Sequence, residues 1–359
     1  MVVFQFVAGL VFLVVGAEFL VKGASRLAAT MGISPLIIGL TVVAFGTSAP
    51  ELVVSIQAAL SGQANIAMGN VIGSNIFNVL FILGLSALIV PLYVSQQLIR
   101  LDVPLMIALS VIILVISRDG QISRMDGFFL VAGIVMYTSF LILQSRKARA
   151  KGESDQRSNA ARPSSRRWVT NGILVLVGLG LLVVGSQWLV KSAVSFAQYL
   201  GVSELIIGLT IVAAGTSLPE LVTSVVAAIR GERDIAVGNV VGSNIFNLMA
   251  VLGSASIVAT AGIEVSPSVL RFDLPVMIAV AFACLPIFFT GGTISRQEGA
   301  LLFGYYIAYM LYLILAATHH DALPQFNRVM LYFVGPLTVI TIIIVSLKEL
   351  RRQNKGQSS

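Results

Sequence analysis

Apolar residues run along this chain in blocks of about twenty or more, separated by short polar turns, and a block of that length is what a helix needs to cross a bilayer. The blocks fall at 2–21, 34–60, 66–91, 101–117, 125–144, 168–190, 203–229, 235–262, 272–290, 298–317 and 328–347, which predicts eleven membrane-spanning helices. The first could pass for a secretion signal. However, Met1 to Gln5 carries no basic residue, the apolar run is too long and no small-residue cleavage site is evident, so it is read as a helix.

Composition agrees. Of 359 residues, 57% are hydrophobic and 11% charged, with a mean hydropathy of +0.94, whereas charged residues make up about 25% of soluble domains. The predicted class is an all-α integral membrane protein. The net charge of +7 is accounted for by orientation in the bilayer, with no need for a nucleic-acid partner. The one long polar segment between spans, Gln144 to Arg167, carries eight Lys and Arg residues and is cytoplasmic by the positive-inside rule. Alternating the spans from there places the N-terminus outside, the basic C-terminal tail inside, and 18 of the 23 Lys and Arg on the cytoplasmic side against 5 opposite. The single cysteine, Cys284, excludes an internal disulfide and any cysteine-based metal cluster. His319 and His320 form a loop pair that lacks the two further ligands zinc needs.

The polar residues inside the blocks are duplicated. Gly39–Ser86 and Gly208–Ala255 align without a gap at an offset of 169, with 29 of 48 positions identical, including GTSAPE against GTSLPE and GNVIGSNIFN against GNVVGSNIFN. Weaker echoes extend the repeat: LVVGAEFLVKGA at 13–24 with LVVGSQWLVKSA at 182–193, IRLDVPLMIA at 99–108 with LRFDLPVMIA at 270–279, and ISRMDG at 122–127 with ISRQEG at 294–299. Five spans, an odd number, separate equivalent positions, so the copies are inverted. The expected organisation is a five-helix repeat at 1–144, a basic linker at 145–167 whose composition reads as disordered, an inverted five-helix repeat at 168–317, and an additional span with a cytoplasmic tail at 318–359. Ten core helices plus one follow.

Carboxylates deep in a span are costly and mark functional sites by default. Glu51 and Glu220 are such residues and are repeat equivalents. Each follows a proline, Pro50 or Pro219, which breaks the helix and is expected to free carbonyls around Ala44 to Thr47 and Ala213 to Thr216. Irregular backbone at that depth is tolerated where protein or a water-filled cavity satisfies it. In the next span Ser74 and Asn78, and likewise Ser243 and Asn247, are four apart and share a helix face. Packed about a pseudo-two-fold axis, the two glutamates would meet near the midplane among hydroxyl, amide and carbonyl oxygens. Such hard oxygens suit Ca²⁺ or Na⁺, and a divalent ion balances two carboxylates that would otherwise repel.

Other polar residues carry plainer expectations. Asn70 and Asn239 fit helix capping or interhelical bonding as well as ion binding. Asn75 and Asn244 face away from the serines and fit packing. Ser55 and Ser224 fit an ion path or bonds back to carbonyls. Glu18, replaced by Gln187 in the second half, fits interfacial solvation, and Lys22 and Lys191 fit snorkelling. Gly69, Gly73, Gly238 and Gly242 are expected to let a neighbouring backbone approach closely.

The doubled, inverted GTSxPE and GNxxGSNxxN motifs resemble the alpha repeats of the sodium/calcium exchanger membrane region in the cation/Ca²⁺ antiporter superfamily, over roughly residues 1–317. That resemblance implies a midplane site at which Ca²⁺ and Na⁺ compete and access that alternates as the first helix of each half slides past the core. By motif position it implies as ion ligands the carboxylates of Glu51 and Glu220, the hydroxyls of Thr47, Ser48, Thr216, Ser217, Ser74 and Ser243, the carbonyls of Ala44 and Ala213, and the side chains of Asn78 and Asn247. Many members have an aspartate at the last position of one repeat, where this chain has Asn247 and Asn78, which lowers the charge of the site. The 24 residues from Gln144 to Arg167 are too few for the family's cytoplasmic calcium-sensing domains. A Ca²⁺/Na⁺ antiporter is therefore expected, with a Ca²⁺/H⁺ antiporter as the alternative, because the same glutamates can carry protons. Inverted repeats favour alternating access over a channel. No GxSxG, H-E-x-x-H or Cys/His pair suggests an enzyme, and no cofactor is expected beyond the transported ions. The short loops and lack of a targeting peptide point to a prokaryotic inner membrane.

Overall fold

The computed structural model describes residues 2–31, 33–152, 165–201, 210–211, 213–289 and 291–335. Among them eight helices are long and apolar enough to cross a bilayer, and a pair bent by 45° at Ser48 makes a ninth. In chain order the helices are α1 (Val2–Met31), the bent pair α2 (Pro35–Thr47) and α3 (Ala49–Leu60), α4 (Ala64–Ile89), α5 (Leu98–Ile116), α6 (Arg124–Gly152) and α7 (Ser165–Tyr199). There follow the short α8 (Ala213–Gly215), α9 (Leu218–Ile229), α10 (Arg233–Val258), α11 (Val269–Phe289), α12 (Arg296–Ala317) and α13 (Leu323–Val329), which continues as a wider turn over Met330–Val334.

The apolar blocks of the sequence coincide with these helices wherever residues are described. Three expectations change or fall outside them. The segment 145–167 is helical at both ends, since α6 runs on to Gly152 and α7 starts at Ser165; Lys and Arg side chains suit helices as well as coil, and 153–164 lie outside the described residues. The seventh span is described from 210 onward. The eleventh is described to 335, beginning earlier than expected at Leu323, and the rest of it and the basic tail lie outside.

Helix starts follow local chemistry. Pro35 occupies the first turn of α2, where it loses no bond, and the Ser34 hydroxyl accepts the Ile37 amide. The repeated ISRMDG and ISRQEG motifs are caps. The Ser123 and Ser295 amides donate to Asp126 and Glu298 at 2.9 and 2.8 Å, and each serine hydroxyl accepts an amide in return.

Contacts between the halves come in reciprocal pairs. A Cβ on Gly84 of α4 would lie 3.1 Å from the carbonyl oxygen of Gly299 in α12, and one on Gly253 of α10 would lie 3.0 Å from that of Gly127 in α6. Short extended segments outside the helices pair the same way: Leu92–Tyr93 (β1) is antiparallel to Thr293–Ile294 (β4), with Leu92 opposite Ile294. Gln121–Ile122 (β2) is antiparallel to Ile263–Glu264 (β3), with Ile122 opposite Ile263. Exchanging the halves turns each contact into its partner, as a pseudo-two-fold axis between them requires.

The core sits on α4 and α10. Of the most apolar stretch of α10, 94% is buried, and 72% of that of α4, against 22% for α1 and 28% for α7. Gly238 and Gly242 of α10 press on the backbone of Leu36 and Leu40 in α2. Gly69 and Gly73 meet no such neighbour among the described residues. At the periphery α1 and α7 pack on one another through glycines: a Cβ on Gly16 would lie 2.8 Å from the Gly178 carbonyl, and one on Gly178 would lie 2.6 Å from the Leu20 amide. Lipid tails supply no hydrophobic drive for such pairing, so close backbone packing takes its place.

Candidate functional site

Both halves bring a helix break to the centre. Ser48 (φ −81°, ψ 6°) and Ser217 (φ −88°, ψ 9°) interrupt the helical run, and Pro50 and Pro219 then fall in the first turn of α3 and α9, where proline is tolerated. The break bends the chain without stripping it of bonds. The Ser48 amide still donates to the Ala44 carbonyl at 3.0 Å, the Leu52 amide to Ser48 at 3.1 Å and the Thr47 hydroxyl to the same Ala44 carbonyl at 3.4 Å. The expected freeing of the Ala44 carbonyl is therefore corrected: it accepts the Ser48 amide and, through a longer contact that shares its one proton with Asn239, the Thr47 hydroxyl. Ala213 opens α8 at the corresponding position.

Glu51 and Glu220 follow these breaks and are wholly buried. Their hydrogen bonds cross between the halves. The Ser48 hydroxyl donates to Glu220 Oε1 at 3.0 Å, and Ser217 to Glu51 Oε1 at 2.8 Å. Thr47 donates to Asn239 Oδ1 at 3.1 Å, and Thr216 to Asn70 Oδ1 at 3.3 Å. Ser217 also lies 3.1 Å from Ser74. Hydrogen bonds to a carboxylate contribute about 1.5–3 kcal/mol each, so each half fixes the other's acidic side chain.

Asn70 and Asn239 turn out to be interhelical linkers. Besides accepting the opposite threonine, the Asn70 amide donates to the Glu51 carbonyl at 3.1 Å and to Ser55 at 2.9 Å. Asn239 donates to the Glu220 carbonyl at 3.4 Å and to Ser224 at 2.9 Å. Their recurrence at the same place in both apolar repeats was the available signal. Asn244 departs from the packing expectation: its Oδ1 accepts the Asn78 amide at 3.0 Å, and its own amide reaches the Asn75 carbonyl. Asn75 keeps to its own helix, donating to Val71.

Asn78 and Asn247 each begin a π-helical stretch, Asn78–Leu83 and Asn247–Val251, a widening of the helix common at functional sites. Around them lie buried polar atoms with no partner among the described residues: Glu51 Oε2, Glu220 Oε2, Asn78 Oδ1, Ser243 Oγ and both polar atoms of Asn247. Leaving a buried polar atom unpaired costs about 1–3 kcal/mol, more when it is charged. Five of the six are oxygens, which fits a hard cation and not a nitrogen- or sulfur-seeking metal. Among the described residues no three His, Cys, Asp or Glu come together, so a cation here would rest on two carboxylates and neutral oxygens.

Outside this cluster little in the sequence signalled a second pair of carboxylates, one buried and one partly buried. Asp102, at the start of α5, accepts the Tyr137 hydroxyl of α6 at 2.8 Å and the Gln97 amide at 3.4 Å. Its repeat counterpart Asp273 accepts Tyr309 of α12 at 3.3 Å. Cys284 is buried in α11. His320 accepts the Ala322 amide through Nδ1 at 3.1 Å, a turn-forming role.

A two-fold helical membrane protein with paired helix breaks around buried carboxylates is the build of a secondary transporter. The chain belongs to the sodium/calcium exchanger protein family, whose profile matches residues 1–143 and 171–315. It is 40% identical over 308 residues to the inner membrane protein YrbG of Escherichia coli (strain K12), covering 85% of this chain and 94% of that one. With the sodium/calcium exchanger MaX1 of Methanosarcina acetivorans it shares 34% over 338 residues, covering 85% and 96%. A solved structure of the sodium-calcium exchanger NCX_Mj, soaked with Na⁺ and Sr²⁺, superimposes with a TM-score of 0.74 at 30% identity, covering 88% of this chain and 97% of the other. It is a multi-pass membrane transporter, not an enzyme.

Proposed function

We propose that the chain exchanges Ca²⁺ for Na⁺ by alternating access, at a site formed by Glu51 and Glu220 with Ser48, Ser217, Thr47, Thr216, Ser74, Ser243, Asn78, Asn247 and the carbonyls of Ala44 and Ala213. The observation that carries this reading is the set of unpartnered buried oxygens, drawn from both halves and gathered at the two helix breaks. Ca²⁺ takes six to eight oxygen ligands in flexible geometry, and the cluster offers that many from carboxylates, hydroxyls and amides. Two carboxylates without a cation repel across a low-dielectric interior, which favours returning with Na⁺ in place of Ca²⁺ over returning empty. The names of MaX1 and NCX_Mj support sodium as the coupling ion.

In this reading ten spans form two inverted halves, 1–144 and 168–317, joined by a cytoplasmic linker at 145–167 and followed by an eleventh span within 318–359. The N-terminus is outside and the C-terminus inside, in a prokaryotic inner membrane. The strand pairs support the alternation, since β1 and β4, and likewise β2 and β3, fall on the same side when the spans are counted.

Purified protein in sealed vesicles is expected to take up radiolabelled Ca²⁺ against an imposed Na⁺ gradient at matched pH. Uptake driven by a pH gradient and indifferent to Na⁺ would assign proton coupling instead. Glu51→Gln combined with Glu220→Gln is expected to reduce the flux at least a hundred-fold, given the roughly 3–5 kcal/mol at stake when one partner of a buried charge pair is lost. Undiminished flux would remove the glutamates from the site.

A further inference from the structure

The reciprocal contacts of the core stop at its edge. α1 packs along α9, but among the described residues no comparable packing joins their repeat counterparts, α7 and α3. Two residues of α7, Leu179 and Val190, sit on Gly46 and Gly215 of the GTS motifs, where an added Cβ would lie 2.5 and 2.6 Å from them. Leu10, the α1 counterpart of Leu179, is 50% exposed. The α1/α7 pair is therefore displaced toward one half. With two near-identical halves, the swapped placement is a second available arrangement, and something must choose between them.

The choice is visible in side chains. Glu18 of α1 forms an ion pair with Arg230, and seven residues on, on the same helix face, the Ser25 hydroxyl donates to Glu232 at 2.5 Å. Arg230 and Glu232 flank Gly231 in the turn between α9 and α10, and Gly231 takes the positive φ of +83° that the tight turn requires. The repeat counterparts cannot repeat the contact. Glu18 corresponds to Gln187 and Ser25 to Val194, while Arg230 corresponds to Ser61 and Glu232 to Gln63. Neither an ion pair nor the hydroxyl bond can form on the swapped side.

We propose that Glu18–Arg230 and Ser25–Glu232 form a one-sided latch, which positions the α1/α7 pair against the 230–232 turn and holds the central site reachable from the opposite membrane face. These are positioning residues: they touch no transported ion and act on which face the site opens to. The latch rests on the alternating-access reading for its transport consequence, and its conformational consequence can be read without transport.

In a Cys284→Ala background, Ser25→Cys with Glu232→Cys places one thiol pair across the latched contact, and Val194→Cys with Gln63→Cys places another across its swapped counterpart. A short bifunctional thiol reagent is expected to link the first pair more than the second. Glu18→Gln is expected to move the ratio of the two yields toward the second by about two- to five-fold, the range of a partly exposed ion pair. Building the mirror pair with Gln187→Glu and Ser61→Arg is expected to move it the same way. The exchange of Glu18→Arg with Arg230→Glu is expected to restore the original ratio, which a general loss of folding would not do. In sealed vesicles Glu18→Gln is expected to shift apparent Ca²⁺ affinity in opposite directions at the two faces. Equal yields with Glu18 and Arg230 both in place, or a ratio that neither Glu18→Gln nor the mirror pair moves, would overturn the latch. Absence of Ca²⁺ flux in the native protein alongside a shifting ratio would instead overturn the choice of transported ion.

Discussion

Asn247 differs from its repeat counterpart in a way that matters for charge at the site. The Asn78 amide is oriented by its donation to Asn244, whereas neither polar atom of Asn247 has a partner among the described residues. A carboxylate at 247 therefore breaks no bond, adds a charge beside Glu51 and Glu220, and strengthens attraction for a divalent ion more than for a monovalent one. Asn247→Asp is expected to lower the Ca²⁺ concentration for half-maximal flux by about ten-fold, worth roughly 1.4 kcal/mol. Asn78→Asp is expected to bring no such gain, because it removes the donor to Asn244 and sets a carboxylate against an amide oxygen. Flux measured over a Ca²⁺ series for the two variants checks this. The glutamates and serines of the cluster were legible in the sequence because polar residues recur inside apolar blocks. The bonds of Asn70, Asn239 and Asn244 were not, because helical spacing gives the face a residue occupies and not the helix that lies opposite.

Between residues and the bundle stand the ties that hold one helix to the next. Asp102 is buried, with both carboxylate oxygens engaged by Tyr137 and Gln97, so it joins the start of α5 to the middle of α6. Tyr137→Phe strands one of those oxygens, at a cost of about 1–3 kcal/mol, and is expected to lower the melting temperature of the detergent-solubilised protein. Tyr309→Phe is expected to cost less, since Asp273 is partly exposed and its bond longer, at 3.3 Å. The IRLDVPLMIA and LRFDLPVMIA echo marked these segments as repeated. It could not mark the tyrosines, which lie 35 and 36 residues further on in other helices. The bends at Ser48 and Ser217 were readable because proline acts locally through its missing amide, whereas the π-helical stretches at Asn78 and Asn247 depend on what packs around them. Helix ends inside the basic segment were hidden for a related reason: the same Lys and Arg residues serve a solvated helix and a coil.

For the whole molecule, the proposed inverted repeat makes a demand that no single helix makes: segments nearly alike in sequence must face opposite sides of the membrane. Gln96 and Ser268 test it. Both are exposed, one beside β1 and the other beside β3, at nearly equivalent places in the two halves. In a Cys284→Ala background, a membrane-impermeant thiol reagent added outside intact cells is expected to label Ser268→Cys and spare Gln96→Cys, and the pattern is expected to reverse in inside-out vesicles. Labelling of both from one side would mean the halves are parallel, and the crosswise bonds from Ser48 to Glu220 and from Ser217 to Glu51 would then need another origin. The 18 to 5 division of basic residues favours the inverted arrangement, and so does the geometry. A two-fold axis lying in the membrane plane brings one helix break from each side to the same depth, where serines of one half reach glutamates of the other. An axis along the membrane normal would bring equivalent residues to one level as well, but it would give both halves the same sidedness and leave the two faces of the bilayer with no interchangeable arrangements for the ion to alternate between.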